Sequence, residues 1–272
     1  MDLGAGIVCA LDHTHAEALF SCVSKPVIGY DFAMCGRLNQ NNTARELASA
    51  MDWSDAVFDS EAEPHLNAAP GTYRPVMHLD HGVRRIDDVF WGYRPAWATA
   101  AAAVPGKKKI PIAINARLEK LGGAYWKPLL RTGRGIVCVS GWYEWTGEKG
   151  SKQAWHIHRK DGAPLFLLAL AHFGPHIHNP HNREEAGFVL VTADSLGGMV
   201  DIHDRRPVAV SREDAWRWLD PNLLPDAALH LARTCMLATE LFEWHVVDNP
   251  LVPATKAKPP SPPSAQAAFD WD

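Results

Sequence analysis

Four short runs rich in β-branched and aromatic residues most constrain the fold of this chain. They cover residues 136–145, 154–159, 164–171 and 187–193. Glycines, prolines and charged residues separate them, and such short, turn-bounded runs are typical of strands rather than helices. The sequence therefore predicts a twisted, mostly antiparallel sheet or a barrel-like core.

Other segments predict helices that flank this sheet. Asn42 and Thr43 can cap a helix that runs through Glu46 and Met51. Further helices are predicted over 125–132, 212–219 and 225–232. The fold class expected from the whole pattern is α/β, of the α+β kind.

Loops and turns are predicted from glycine, proline and asparagine. The stretch 67–72 indicates a loop before a strand at 73–79, and His81-Gly82 predicts a hairpin turn into 83–91. The stretch 98–109 is alanine-rich, is broken by Pro105-Gly106 and ends in three lysines. We predict a surface loop there.

Length and composition predict one main domain with two peripheral ends. A chain of 272 residues with 47% hydrophobic residues can bury one substantial core. Residues 1–33 have no sustained period and are expected to be an extension that is disordered or removed, or that comes from a misplaced start. Residues 253–272 are rich in proline, alanine, serine and lysine, which predicts a disordered tail. The domain itself is expected at 34–252.

Charge and cysteine content exclude several classes of protein. A net charge of −4 and a pI near 6.4 are not those of a protein that coats duplex DNA, so any nucleic-acid contact must be a local groove. Five cysteines without a C-x-x-C pair argue against a disulfide framework and favour a reducing cytoplasm. No apolar run is long enough for a membrane span. Phosphate-loop, dinucleotide and serine-hydrolase motifs are missing from the sequence, and we predict no cofactor.

Cys35 allows two interpretations. An internal lone cysteine is usually a small buried hydrophobe. As a first residue, it would carry a thiol and an α-amine, which together react with aldehydes. The amine forms an imine, and the adjacent thiolate then closes a five-membered thiazolidine. Translation from Met34, followed by removal of that methionine, would expose this amine.

Three further residues are candidates for chemistry. Glu144 follows Trp142 and Tyr143 and precedes Trp145, and contact with aromatic rings disfavours the charged form of a carboxyl. The alternative is a solvent-facing or arginine-paired strand glutamate. His203 is either part of a surface charge network or a general acid or base beside arginines. Asn115 ends an apolar run, where asparagine is usually a cap or turn residue.

Histidines raise the question of a metal site. His156 and His158 share a predicted strand, and His172, His176, His178 and His181 follow it. No acidic ligand accompanies them at a regular offset, and prolines interrupt the second group. We therefore predict no metal site.

With these residues identified, the chain resembles the SRAP (SOS response-associated peptidase) family, the abasic-site processing proteins. The matching stretches, in the order of the family, are Met34-Cys35-Gly36-Arg37, Asn67-Ala68-Ala69-Pro70-Gly71-Thr72, Phe90-Trp91-Gly92-Tyr93 with Pro95 and Trp97, Asn115-Ala116-Arg117, Gly141-Trp142-Tyr143-Glu144-Trp145 and Asp201-Ile202-His203-Asp204-Arg205-Arg206-Pro207. Six ordered matches are far more specific than any one of them.

The resemblance implies a role for each matched residue. Cys35 would be the nucleophile that cross-links to abasic sites in single-stranded DNA. Asn115 would orient the cysteine or the adduct, Glu144 would move protons, and His203 would assist opening of the deoxyribose ring. The resemblance further implies a DNA groove in which the phosphates are held by Arg37, Arg117 and Arg205 and a flanking base stacks on Trp97.

Rival functions remain open from the sequence. One is a cysteine-dependent peptidase that processes its own N-terminal residues, and another is a non-covalent binder of single-stranded DNA. Strand-incising lyase activity could accompany the cross-link. The protein is expected to be a cytoplasmic, nucleoid-associated monomer, with partners at the replication fork unknown. The extra lysines 107–109 would either contact phosphates or solubilise a loop.

Overall fold

Two β-sheets and a set of short helices form the described part of this computed structural model. It describes residues 36–102, 106, 110–148, 151–174 and 183–248, all within one unit that spans 33–272. The predictions for Cys35, for His176, His178 and His181, for lysines 107–109 and for both chain ends lie outside the described residues.

Strands make up most of the regular structure. The strands are β1 Leu38–Gln40, β2 Val57–Asp59, β3 His65–Ala68, β4 Tyr73–Asp80, β5 Val83–Phe90, β6 Asn115–Arg117, β7 Arg134–Val139, β8 Gly141–Thr146, β9 Gln153–Arg159, β10 Leu165–Ala171, β11 Phe188–Asp194, β12 Arg205–Pro207, β13 Ala209–Val210 and β14 Phe242–Val247. The α-helices are α1 Ala44–Ala50, α2 Ala96–Ala102, α3 Lys127–Thr132, α4 Arg212–Leu219 and α5 Pro225–Thr234. Short 3₁₀ helices cover Leu118–Lys120, Gly197–Asp201 and Thr239–Leu241.

Most strand pairs are antiparallel. A five-stranded sheet has the order β14-β9-β8-β1-β3, and a nine-stranded sheet has the order β12-β11-β10-β7-β4-β5-β2, with β13 beside β10 and β6 beside β11. Among the described strands, β2 with β5 and β6 with β11 pair in parallel. The predicted α+β class with mostly antiparallel sheets is confirmed.

The central strands of the nine-stranded sheet, β7, β10 and β11, are buried on both faces. Along β10, Leu165 and Leu167 face one apolar cluster, and Phe166 and Leu168 face another. The first cluster also contains residues of the five-stranded sheet, and the second contains residues of α1, α3, α4 and α5. Because both faces are covered, β10 reads as a continuous apolar run instead of an alternating one.

A buried glutamine connects the two sheets. Gln40 of β1 is fully buried, and its amide nitrogen donates to the carbonyl oxygens of Cys138 (3.1 Å) and Pro75 (3.4 Å). Its amide oxygen accepts from Nε of Arg74 at 2.8 Å. A buried amide is tolerated when its groups are bonded in this way. Gln40 therefore fixes β1 against β4 and β7.

Locally encoded elements agree with the predictions. Thr43 and Glu46 form a reciprocal capping box at the start of α1. His81 and Gly82 both have positive φ, 48° and 84°, as a type I′ hairpin turn requires. The helix predicted at 212–219 has those bounds in the structure.

Three predicted elements differ from the structure. The stretch 98–109 was expected to be a loop, but α2 covers its start because alanines favour a helix and Ala98 packs in the core. The run 136–145 is two strands, since β7 ends at Val139 and β8 begins at Gly141. Asn67 and Ala68 belong to β3 instead of a loop. No helix within the described ranges is both long and apolar enough to cross a membrane.

Candidate active site

Pairing of β1 with β8 brings the start of the described chain beside the Trp142–Trp145 motif. Leu38 lies opposite Trp142, and the Tyr143 N–H donates to the Arg37 carbonyl oxygen at 2.9 Å. Continuing this register places Gly36 at the level of Glu144. Residue 36 directly follows Cys35, the nucleophile implied by the resemblance.

Glu144 is buried, with 3% of its surface exposed. It shares a strand face with Trp142, whose ring packs in the cluster between the sheets, and its partner on β9 is Trp155. Tyr143 and Trp145 project from the opposite face because side chains alternate along a strand. Of the three aromatic neighbours named from the sequence, only Trp142 shares the face of the carboxylate, and the sequence did not single out Trp155.

Tyr143 instead contacts histidines on the outer face of the five-stranded sheet. Its ring centroid lies 4.9 Å from that of His156, which stands directly opposite on β9. Burial, with His158 and His245 nearby, lowers the pKa of His156 to about 4. This imidazole is therefore neutral at neutral pH.

Arginines make the environment of Gly36 electropositive. Arg37 is half-buried and donates to the side-chain oxygen of Asn67 at 3.4 Å. Burial lowers the pKa of the Arg37 guanidinium from its usual value. The pKa of His65 on β3 is lowered by burial and by the positive charges of Arg74 and Arg37. Arg37 and Arg74 therefore place positive charge at the strand end that follows Cys35.

Strand β6 holds Asn115 and Arg117 on one side. Asn115 lies opposite Leu190 of β11, and Leu190 belongs to the cluster between the sheets. Ala116 packs into the helix-side cluster, so its two neighbours project toward the side of the five-stranded sheet. Arg117 is exposed and available to solvent anions.

His203 lies in a turn that precedes β12. Its Nδ1 lies 3.0 Å from the backbone nitrogen of Arg205, whose N–H donates to it. A carboxylate oxygen of Asp204 lies 2.9 Å from the same Nδ1. Both contacts are made by Nδ1, so the adjoining residues orient the ring and leave Nε2 on its far side.

Arg205 is 5% exposed and held by protein groups. Its guanidinium pairs with Glu119 at 3.0 Å, pairs with Asp194 and donates to the Thr192 carbonyl oxygen at 2.8 Å. A guanidinium held in this way has little surface left for a phosphate. The geometry favours a positioning role for Arg205, next to His203, over the phosphate contact expected from the sequence.

Trp97 is an exposed aromatic on α2. Its side chain is 57% exposed, and Tyr125 meets it edge to face with 5.9 Å between ring centroids. Tyr125 also contacts Tyr93 and Trp126. Tyr93 forms a bridge with Ala113, two residues before Asn115. The Trp97 ring therefore contacts Tyr125 on one side and is exposed to solvent on the other. Through Tyr125 and Tyr93, this aromatic group reaches the segment that leads into β6.

The candidate residues fall into two groups around one apolar cluster. Arg37 directly precedes β1 and Glu144 lies on β8, whereas Asn115, Arg117, His203 and Arg205 lie on strands or turns next to β11. Trp142, two residues before Glu144 on β8, packs in the cluster between the sheets. Ile202, the residue before His203, packs in the same cluster. The sequence did not predict that Glu119 and Asp194 pair with Arg205, because neither residue belongs to a recognisable motif.

Two cysteines, Cys138 and Cys235, lie within the described residues. Burial raises the pKa of Cys138 to about 12, so its thiol is unreactive. Cys235 is half-buried at the end of α5. Neither belongs to the two groups of candidate residues.

The fold and these residues define a class: a mixed α+β protein in which two sheets enclose a buried carboxylate beside an electropositive strand end. The model of the SOS response associated peptidase (SRAP) family matches residues 34–252. The chain belongs to the SRAP family.

Relatives and solved structures agree with this assignment. The abasic site processing protein YedK of Escherichia coli is 34% identical over 222 residues, which cover 79% of this chain and 93% of YedK. The crystal structure of a phage-related protein from Bordetella bronchiseptica is 35% identical, with a TM-score of 0.64, and covers 79% of this chain and 95% of that one. A crystal structure from Bacteroides thetaiotaomicron, 18% identical, covers 79% of this chain and 93% of its own, and its TM-score of 0.62 shows the same fold.

Proposed function

We propose that this protein processes abasic sites in single-stranded DNA by forming a reversible thiazolidine cross-link through Cys35. The observation that carries the proposal is Glu144, a buried carboxyl at the level of Gly36, the residue that follows Cys35. The names of YedK and other abasic site processing relatives support abasic sites as the substrate. Covalent geometry keeps Cys35 within about 3.8 Å of Gly36, Cα to Cα.

The first chemical step opens the sugar. An abasic deoxyribose is mostly a closed hemiacetal, so a proton must leave the C1 hydroxyl and another must reach the ring oxygen. His203 would supply the latter proton from Nε2. The fixed orientation of its ring, through the bond from Arg205 to Nδ1, supports this role.

The second step joins the α-amine of Cys35 to the aldehyde. The nitrogen attacks C1 to give a carbinolamine, and loss of water leaves an imine. Glu144 would take the proton of the attacking amine and return it to the departing hydroxyl. The amine must be neutral to attack, because only then does its nitrogen carry a lone pair.

The last step closes the ring. The Cys35 thiolate adds to the imine carbon, and the nitrogen takes up a proton, so that carbon, nitrogen and sulfur join the two cysteine carbons in a five-membered ring. Asn115 would orient the adduct from β6. Because each step is reversible, the cross-link can be released, and the imine can instead lead to strand incision.

DNA binding uses the open side of the site. Arg37 and Arg117 would hold phosphates, and Trp97 would stack on a base beside the lesion, a contact worth about 1–3 kcal/mol. Arg205 would position His203. We propose that the protein acts as a monomer in the cytoplasm at the nucleoid, and that self-processing, the peptidase activity in the family's name, removes the residues before Cys35.

A gel assay tests the covalent step. An oligonucleotide with one abasic site is mixed with protein that begins at Cys35, and a band that resists denaturation is expected. Cys35→Ala should lose the band, whereas Cys235→Ala should keep it. Salt-sensitive binding without covalent capture would instead indicate a simple binder, and absence of any band from the wild type would overturn the proposal.

A further inference from the structure

Three histidines meet on the outer face of the five-stranded sheet. His156 and His158 are two residues apart on β9, and His245 lies opposite His156 on β14. One nitrogen of each ring lies within 4.8 Å of the others. Ile157 and Trp244, which alternate with them, pack into the core, so the imidazoles occupy the face opposite to that of Glu144.

Hydrogen bonds orient two of the rings. Nδ1 of His158 lies 2.9 Å from the Arg159 carbonyl oxygen, so this nitrogen carries the hydrogen and Nε2 carries the lone pair. The side-chain nitrogen of Asn39 lies 3.1 Å from Nε2 of His156, and the Asn39 side-chain oxygen is buried without a partner. A turn of the Asn39 amide lets this oxygen accept from the Nε2 hydrogen and leaves the lone pair of Nδ1 for a metal. Bonds of this kind from the second ring nitrogen are typical of metal-ligating histidines.

Packing against a glycine fixes the position of His156. A Cβ at Gly141 would lie 2.5 Å from Nε2 of His156, so the ring occupies the space left by the missing side chain. Nδ1 is the nitrogen on the side of the ring away from this contact. Gly141 of β8 and Asn39 of β1 thus both contact His156.

A fourth ligand is also available. Glu243 lies opposite His158 on β14, with its Oε1 at 3.7 Å from Nε2 of His158. Tetrahedral coordination with metal–nitrogen distances of about 2.0–2.1 Å requires the nitrogens to lie about 3.3 Å apart. The nitrogens must therefore approach one another by up to about 1.5 Å, and the exposed His245 can move by side-chain rotation.

We propose that His156, His158 and His245 bind a divalent transition-metal ion, Zn²⁺ foremost, with Glu243 or water as the fourth ligand. Neutral imidazoles favour zinc, copper and nickel over magnesium or calcium. The ion joins β9 to β14, the edge strand of the sheet, and so holds that edge in place. The site is separate from the proposed abasic-site chemistry, which uses the other face of β8.

Metal content and thermal stability test the proposal. Protein without a histidine tag is dialysed against chelator-buffered Zn²⁺, and one bound ion per chain with a raised Tm is expected. His245→Ala and His158→Gln should each weaken binding by more than the roughly 10–100-fold that a supporting residue causes. His81→Ala, at an exposed hairpin tip, is the matched control and should keep the ion.

Co²⁺ as a probe identifies the ligand type. Visible bands of tetrahedral Co²⁺ without a sulfur charge-transfer band are expected, and Cys35→Ala should leave them unchanged. Circular dichroism without metal shows whether the histidine variants fold. The amount of bound Zn²⁺ in each variant is then calculated per folded chain. Absence of stoichiometric Zn²⁺, its retention in both folded histidine variants, or a sulfur band would each overturn the proposal.

Discussion

Glu144 is the residue to which the proposed reaction assigns both proton transfers of imine formation. Its replacement by Gln keeps the shape of a side chain that is 3% exposed but removes the titrating group. We expect Glu144→Gln to slow cross-linking by about 10²–10⁴-fold, the usual range for one general acid or base. Cross-linking rates are measured under single-turnover conditions.

A nearby carboxylate provides the control for Glu144. Glu148 is exposed in the turn after β8, and Glu148→Gln should leave the cross-linking rate unchanged. Non-covalent DNA affinity should be similar in both variants. Equal rates for Glu144→Gln and the wild type would remove Glu144 from the mechanism.

Arg117 and Arg205 have different expected roles, which two variants can separate. Arg117 is exposed, so Arg117→Gln should reduce the log–log salt slope of single-stranded DNA binding by about 0.7 for each phosphate that the variant no longer neutralises. Arg205→Met should instead lower the free energy of unfolding by about 2–3 kcal/mol. This loss is somewhat smaller than that for breaking a fully buried ion pair, because the side chains of Glu119 and Asp194 are partly exposed.

Salt titrations and denaturant unfolding of both variants measure these differences. Arg205→Met should retain the salt slope of the wild type when it is folded. A reduced slope with unchanged stability in that variant would show that Arg205 does bind phosphate.

At the scale of elements, the sequence predicted what short-range chemistry determines. The capping box of Thr43 and Glu46 and the turn at His81-Gly82 depend on residues within a few positions, and both were found. Strands β1 and β14 depend on partners far along the chain, such as β8 and β9, and were not predicted. The motif with Glu144 was found from the sequence, but its neighbour Trp155 comes from strand pairing. His245 was missed for the same reason.

The β4–β5 hairpin carries a buried ionic group that should govern acid stability. Asp87 is buried and accepts hydrogen bonds from Arg85 at 2.9 and 3.0 Å, and it pairs with His78 at 2.6 Å. Burial raises the pKa of Asp87, but the bonds from His78 and Arg85 outweigh it, so the pKa lies below its usual value. Its stabilising effect is therefore complete above about pH 4, the unfolded value, and is lost as the pH falls through the lower folded value.

Replacement of Asp87 tests this linkage. Asp87→Asn should lower the free energy of unfolding by about 3 kcal/mol at pH 7, because it leaves Arg85 and His78 without their carboxylate. The variant should also lose less stability between pH 4 and 2 than the wild type, as followed by urea unfolding. The exposed Asp226→Asn, in the first turn of α5, should cost less than about 1 kcal/mol. Parallel pH profiles for Asp87→Asn and the wild type would contradict the assignment.

For the whole molecule, we expect the two sheets to form whether or not residues 1–34 are attached, whereas the proposed cross-link requires that they be removed. Gln40 and Leu38 hold β1 in place through contacts that need nothing before Gly36. An internal Cys35 has an amide nitrogen, which cannot form an imine, whereas a terminal Cys35 has an amine.

We therefore expect active protein to begin at Cys35, as measured by intact mass and N-terminal peptide mapping of the cross-linked fraction. Protein that retains residues 1–34 should have the same urea midpoint for the main domain and the same salt-dependent DNA binding, yet form no denaturation-resistant band. Cys35→Ser, with an amine but no thiol, should give an imine that is captured only with borohydride, because the ring cannot close through sulfur. A cross-linked species with Met34 still bonded to Cys35 would show that the amine is not the reacting group.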